Sequence, residues 1–152
     1  MPSIPFVPVG FEPPALLATD RFRLEPLGPQ HNHSDHTAWT SSIEHIRATP
    51  GYPDGDWPPL DGMSLEANLA DLRRHAADFA AGIGFTFTVL DLADRGVIGC
   101  VYLYPAESAA YDVTVQSWVR ADRADLDGPL ADAVSAWLAA KWPWERVERQ
   151  GR

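Results

Sequence analysis

From Tyr111 to Leu138 the chain reads YDVTVQSWVRADRADLDGPLADAVSAWL, and its periodicity changes once, from two to about four. Tyr111, Val113, Val115 and Val119 fall on one face of a strand, with Asp112, Thr114, Gln116 and Trp118 on the other. Leu130, Val134, Trp137 and Leu138 then make the buried stripe of a helix starting near Asp127. A strand that feeds a helix through a short turn presents unpaired backbone N–H groups at the positive end of the helix dipole, a place suited to an anion. The turn itself carries Asp125 and Asp127, which satisfy that dipole and repel an anion. This conflict governs the functional reading.

The 152 residues, 45% of them hydrophobic, suffice for one domain with a real core. Six Trp, six Phe and four Tyr supply bulky apolar surface. No apolar run has membrane-spanning length and no export signal precedes the domain, so a soluble cytoplasmic protein is expected. A formal charge of −9 argues against nucleic acid as a partner and mildly favours a cationic or neutral ligand. The single cysteine, Cys100, lies in the apolar run VIGCVYLY and reads as a buried structural thiol.

Residues 1–19 form a Pro-rich arm, extended through at least Ala15, and residues 20–152 form the domain. RFRLEPL, from Arg21 to Leu27, alternates as an edge-like strand. Trp39, Ile43 and Ile46 predict one helix over about Asp35 to Ala48, capped by Ser34 or Asp35 and stopped by Pro50 and Gly51. Gly51 to Gly62 is a loop with aromatic anchors, of the kind that borders a pocket. Ser64 caps a second helix whose stripe is Leu65, Leu69, Leu72, Ala76 and Phe79, ended by Gly82 and Gly84. His75 reads as a surface or boundary residue of that helix. FTFTVLD from Phe85 and GVIGCVYLY from Gly96 make a hairpin, the second strand apolar on both faces and hence central. After Trp142 and Pro143, Arg146 to Arg149 makes a last short strand.

The order strand, helix, helix, three antiparallel strands, helix, strand resembles the GNAT acetyltransferase superfamily. The resemblance is carried by RFRLEPL, FTFTVLD, VIGCVYLYP and VQSWVRADRADLDGPLADAVSAWLAAKWPW. It implies an α/β (α+β) fold with a mixed, mostly antiparallel central sheet flanked by helices. It also implies acetyl-CoA or another acyl-CoA as co-substrate, with Gln116, Ser117, Trp118 and Val119 along the pantetheine and Arg120, Arg123 and Gly128 at the pyrophosphate. Placing Trp118 and Val119 at the strand end puts the family's cradle pattern on Ala124, Asp127 and Pro129, none of which matches. Starting instead at Arg123 gives Arg123, Leu126 and Gly128, which restores the Arg and the last small residue but not the middle Gly. Members of the family continue with a further helix and two strands, the helix often bearing the Tyr that protonates the leaving thiolate. The sequence ends at Arg152, so the fold expected here lacks that last helix and those strands.

HNHSDH, His31 to His36, matches the H-x-H-x-D-H zinc pattern of the metallo-β-lactamase fold. The later histidines, His45 and His75, fall inside predicted helices, so His31, His33 and His36 read as a loop leading into a helix and no metal is expected. As catalytic candidates, Glu44 could take a proton from an amine with help from Asp112, and Tyr104 could donate into the cleft. Trp137, Trp142 and Trp144 read as core or interface anchors. Two functional readings stand: an acyl-CoA-dependent N-acyltransferase acting on a small-molecule amine, and a GNAT-fold binding module for an unknown ligand or protein that has lost normal CoA binding. A short final strand would leave a sheet edge open, which suits a homodimer.

Overall fold

The computed structural model describes residues 5–52 and 57–152. The first four residues of the Pro-rich arm and residues 53–56 of the aromatic loop lie outside the described residues. Six strands form one sheet in sequence order: β1 (Leu17–Ala18), β2 (Phe22–Pro26), β3 (Phe85–Asp91), β4 (Val97–Pro105), β5 (Val113–Val119) and β6 (Val147–Arg149). All neighbours are antiparallel except β5 and β6, which run parallel because a helix connects them. Every residue of β3 is buried, the signature of a strand covered on both faces. Gly99 in β4 lies so close to the Trp118 carbonyl that a Cβ there would collide with it, so the β4–β5 contact requires glycine.

Helix α4 (Asp127–Lys141) covers one face, burying Leu130, Val134, Trp137 and Leu138 against Phe22, Leu24, Phe87 and Val101. The other face is covered by α1 (Asn32–Thr40), α2 (Ile43–Arg47) and α3 (Leu65–Ala81). There Trp39, Ile46 and Leu72 pack with Cys100 and Trp118. The thiol of Cys100 is fully buried, as its apolar setting implied. No helix of the described residues is long and apolar enough to cross a membrane.

Three local expectations change. The single helix over Asp35 to Ala48 is two helices: Thr40 Oγ1 donates to the His36 carbonyl at 2.6 Å and Ser41 Oγ to the Ala38 carbonyl at 2.9 Å. Hydroxyls that bond back along a helix loosen its ladder, and Ser42 then leaves helical geometry while its Oγ accepts from the Ala121 N–H. Neither Ser34 nor Asp35 caps α1, since Ser34 Oγ accepts from Val97 N–H across 63 residues and Asp35 is buried within the helix. RFRLEPL is not the sheet's edge, because Leu17 and Ala18 at the end of the arm pair with it as β1.

Candidate functional site

The second, helix-rich face contains a cavity of about 240 Å³. Its walls are Tyr52, Trp57 and Met63 from the loop before α3, Asp71, Arg74 and His75 from α3, Tyr102 from β4 and Gln116 from β5. Helix α3 is fixed at both ends: Ser64 Oγ accepts from Ala67 N–H, and Gly82 closes the helix at a positive φ of 71°. Its most buried residues are Asn68, Leu72 and His75, spaced i, i+4, i+7, so the face turned inward is partly polar. His75 is only 7% exposed, which corrects its reading as a surface or boundary residue. The signal was present in that spacing, but a search for apolar stripes passes over Asn and His.

A chain of polar groups leads from the cavity wall into the sheet. His75 Nδ1 lies 2.9 Å from Thr86 Oγ1 and 3.0 Å from Tyr104 Oη, while the Tyr104 hydroxyl donates to Asp78 Oδ2 at 2.9 Å. With the Tyr104 hydrogen committed to Asp78, Tyr104 Oη can only accept from Nδ1, whereas the Thr86 hydroxyl can donate to Nδ1 or accept from it, so the pattern is compatible with either neutral tautomer of His75. Nε2 faces Asp71 Oδ2 at 3.6 Å and Arg74 at 3.4 Å. A hydrogen bond from the neighbouring His75 ring, with Arg74, holds the Asp71 carboxyl down to about 2, so it is ionised beside that ring. Burial pushes the Tyr104 phenol up to about 12, keeping it a hydrogen-bond donor at neutral pH. Behind α3, burial raises the Asp35 carboxyl to about 6 although Asn68 donates to it.

Gln116 marks where the sheet opens. The β5–β6 ladder ends at Val115↔Arg149, and β5 runs on to Val119 with its Ser117 and Val119 backbone facing the side β6 has left. On the α4 face of this stretch lies a narrow cleft lined by Val115, Ser117, Ala131, Val134, Ser135, Leu138, Arg149 and Arg152. Its space, about 10 Å³, is that of one water molecule. Arg152 closes one end by gripping Asp127 at the start of α4 with two bonds of 2.8 Å.

The turn before α4 is not an open anion cradle. The Asp127 N–H is spent on the Ala124 carbonyl, and Pro129 has no N–H to offer. Arg120 pairs with Asp122 at 2.9 Å and donates to the Val97 carbonyl at 3.1 Å, while Arg123 pairs with Asp91. Neither guanidinium is directed to the first turn of α4, where Gly128 has open space beside it.

The proposed partnership of Glu44 and Asp112 is not formed. Glu44 is exposed on α2 near Ala121, past one end of β5, whereas Asp112 precedes the other end, a separation of about 20 Å along a seven-residue strand. Asp112 is not part of the strand: it accepts from Arg146 at 2.7 Å and from the N–H groups of Glu145 and Arg146. Arg146 holds the Asp112 carboxyl down to about 2. Tyr104 lies one hydrogen bond behind the cavity wall, through His75. The three histidines of HNHSDH diverge: His31 accepts from Gly28 N–H, His36 meets the Met63 carbonyl at 2.6 Å, and His33 lines an open groove with Arg120. Among the described residues no group of three His, Cys, Asp or Glu side chains is placed to hold a metal ion.

No family model matches the chain, and no curated protein matches it. Solved structures do. The ribosomal-protein-S5-alanine acetyltransferase from Vibrio fischeri matches with a TM-score of 0.62 at 13% identity, covering 81% of this chain and 66% of that one. A ribosomal L7/L12 α-N-protein acetyltransferase in complex with coenzyme A matches with a TM-score of 0.63 at 12% identity, over 82% and 67% of the two chains. The microcin C7 self-immunity acetyltransferase in complex with acetyl-CoA and AMP gives 0.60 at 10% identity, over 80% and 62%. The chain thus spans about two thirds of these proteins' length. The likeness establishes a shared architecture, the fold of GNAT acetyltransferases.

Proposed function

We propose, from the fold shared with these acetyltransferases, that the protein transfers an acyl group from acyl-CoA to an amine. One observation carries this reading: the aromatic cavity and the narrow cleft flank the same stretch of β5, at Gln116 and Ser117, just where β6 stops pairing. Backbone groups of Ser117 and Val119 can bond the amides of an extended pantetheine arm as a strand would. The thioester then points through the parted edge toward an amine in the cavity. The amine nitrogen bonds to the thioester carbonyl carbon and gives a proton to His75 Nε2, the ring carrying its own hydrogen on Nδ1. The C–S bond breaks, and the thiolate leaves and is protonated from solvent. Asp71 supports the protonated ring, and Tyr104 with Asp78 holds the opposite nitrogen in place.

The second reading, a binding module without acyl-CoA, is favoured by the Arg152–Asp127 clasp, the missing donor at Pro129 and the one-water volume of the cleft. Calorimetric titration with acetyl-CoA, followed by a free-thiol assay across small amines, separates the two. Micromolar binding with amine-dependent thiol release is the expected result. Absence of any acetyl-CoA binding at millimolar concentration would leave the binding module as the function.

A further inference from the structure

The aromatic cavity carries its own selectivity, and we infer that its ligand is a primary ammonium on a compact apolar body, such as a small alkylamine or arylalkylamine. The inference deepens the acyltransferase reading and rests on it for the fate of the amine.

The walls meet as a corner. The Tyr52 and Trp57 rings lie 6.2 Å apart at 47°, Trp57 and Tyr102 lie 6.4 Å apart at 72°, and the His75 ring lies 5.7 Å from Tyr102. Rings set at such angles do not sandwich a ligand between parallel faces, but they present faces and edges around a compact group, a phenyl ring included. A cation within about 6 Å of a ring centroid is attracted to its face. Three polar wall groups keep acceptor capacity, beside the Tyr52 hydroxyl, which has no partner among the described residues and can accept or donate. Gln116 spends Nε2 on the Gly51 carbonyl at 3.2 Å, and its carbonyl oxygen has no partner among the described residues. Tyr102 Oη accepts from Trp118 Nε1 at 3.0 Å and has a second lone pair. Asp71 commits Oδ1 to Arg74 at 2.7 Å, while Oδ2 has only the 3.6 Å approach of His75.

Charge points the same way. Arg74, the one Lys or Arg on the wall among the described residues, is shared between Asp71 and Asp78, at 2.7 and 3.6 Å. One guanidinium therefore answers two carboxylates, and the local field favours a positive ligand. A primary ammonium, with three N–H donors, matches three acceptors. At about 240 Å³ the cavity falls below the roughly 300–1,000 Å³ of pockets that enclose drug-sized ligands, so the body must be small.

The test is a calorimetric comparison of n-butylamine and 2-phenylethylamine with the alcohols of the same shape, using the intact protein without acyl-CoA. Each amine is expected to bind about tenfold or more tightly than its alcohol. Trp57→Ala weakens the amine about tenfold and Trp57→Phe weakens it less, while Asp71→Asn removes most of the preference over the alcohol. Thermal melts confirm that each variant is folded, and Trp57→Phe serves if Trp57→Ala is not. Equal binding of amine and alcohol, or binding of neither at millimolar concentration, overturns the inference. Amine binding without acetyl-CoA binding supports the pocket and overturns the transferase. Acetylation of peptide N-termini with no small-amine binding does the reverse.

Discussion

At the residue scale the most consequential group is Asp35, a carboxyl only 4% exposed between α1 and α3. Asn68 Nδ2 donates to it at 3.1 Å and to Asn32 Oδ1 at 2.8 Å, while Asn68 Oδ1 accepts from Trp39 Nε1 at 3.0 Å. One amide thus satisfies a buried indole and a buried acid together, but burial still outweighs its bond to Asp35. The Asp35 carboxyl rises from 3.8 to about 6 in the folded protein. Because the folded state keeps its proton longer than the unfolded state, the stability tied to Asp35 is full below about pH 4 and is lost as pH rises through 6. The size of the loss is about 3 kcal/mol. Asp71 and Asp112, both held down to about 2, act with the opposite sign at lower pH, their contributions disappearing as pH falls below 3.8. Asp35 is therefore isolated by difference. Comparing urea unfolding of the wild-type protein and Asp35→Asn at pH 4 and pH 7, the wild type should lose stability relative to the variant as pH rises. Parallel pH profiles for the two proteins contradict the assignment.

At the element scale α3 is the support of the cavity, because Asp71, Arg74 and His75, spaced i, i+3, i+4, share the side of it that borders the cavity. Its ends are set by residues whose effect is local. Ser64→Ala removes the bond to Ala67 N–H and costs about 1 kcal/mol. Gly82→Ala forces a Cβ into a left-handed backbone position and costs about 1 kcal/mol. The two caps lie at opposite ends of a 17-residue helix, so the double variant should lose about 2 kcal/mol by urea unfolding with an unchanged m value. Both caps were legible in the sequence for the same reason that they act locally: a Ser before an apolar stripe and a Gly after it need no distant partner. The strands β3 to β5 and the stripe of α4 were legible likewise, β5 and α4 by their period and β3 and β4 as apolar runs parted by a polar turn. The break between α1 and α2 was not, because Ser42 is held by Ala121, 79 residues away. Nor was the role of Asp112, whose partners Glu145 and Arg146 lie more than 30 residues on. Alternation extended the strand through Tyr111 and Asp112, but the carboxylate was already bound elsewhere. His75 differs: its spacing with Asn68 and Leu72 was on view, but two of the three side chains of that stripe are polar, and their partners, Thr86 and Tyr104 among them, arrive from other elements.

At the scale of the whole molecule the sheet separates two tasks. The face under α1 to α3 holds the cavity, whereas the α4 face is an aromatic core that its helix covers incompletely. The uncovered part is closed by residues of the Pro-rich arm. Phe6 stacks on Trp144 at 4.6 Å, Phe11 tilts against Trp142 at 5.7 Å, and Trp144 Nε1 donates to the Phe6 carbonyl at 2.8 Å. Trp142 and Trp144 in turn pack on Phe85, so the arm and the segment after α4 seal one end of the core together. Partial burial of two phenylalanines stabilises the fold by roughly 3 kcal/mol. Replacing both, as Phe6→Ala with Phe11→Ala, should lower the melting temperature by about 6–12 °C for a domain of this size. Tryptophan emission should shift to the red as Trp142 and Trp144 meet water, and because the lost contacts are apolar, the deficit should not depend on salt. The cavity lies on the opposite face of the sheet from these contacts. If the two faces are energetically separate, the double variant binds the cavity's ligand with wild-type affinity well below its melting point. A loss of ligand affinity in step with the loss of stability would show that the sheet couples its faces, and that the arm belongs to the site as well as to the core.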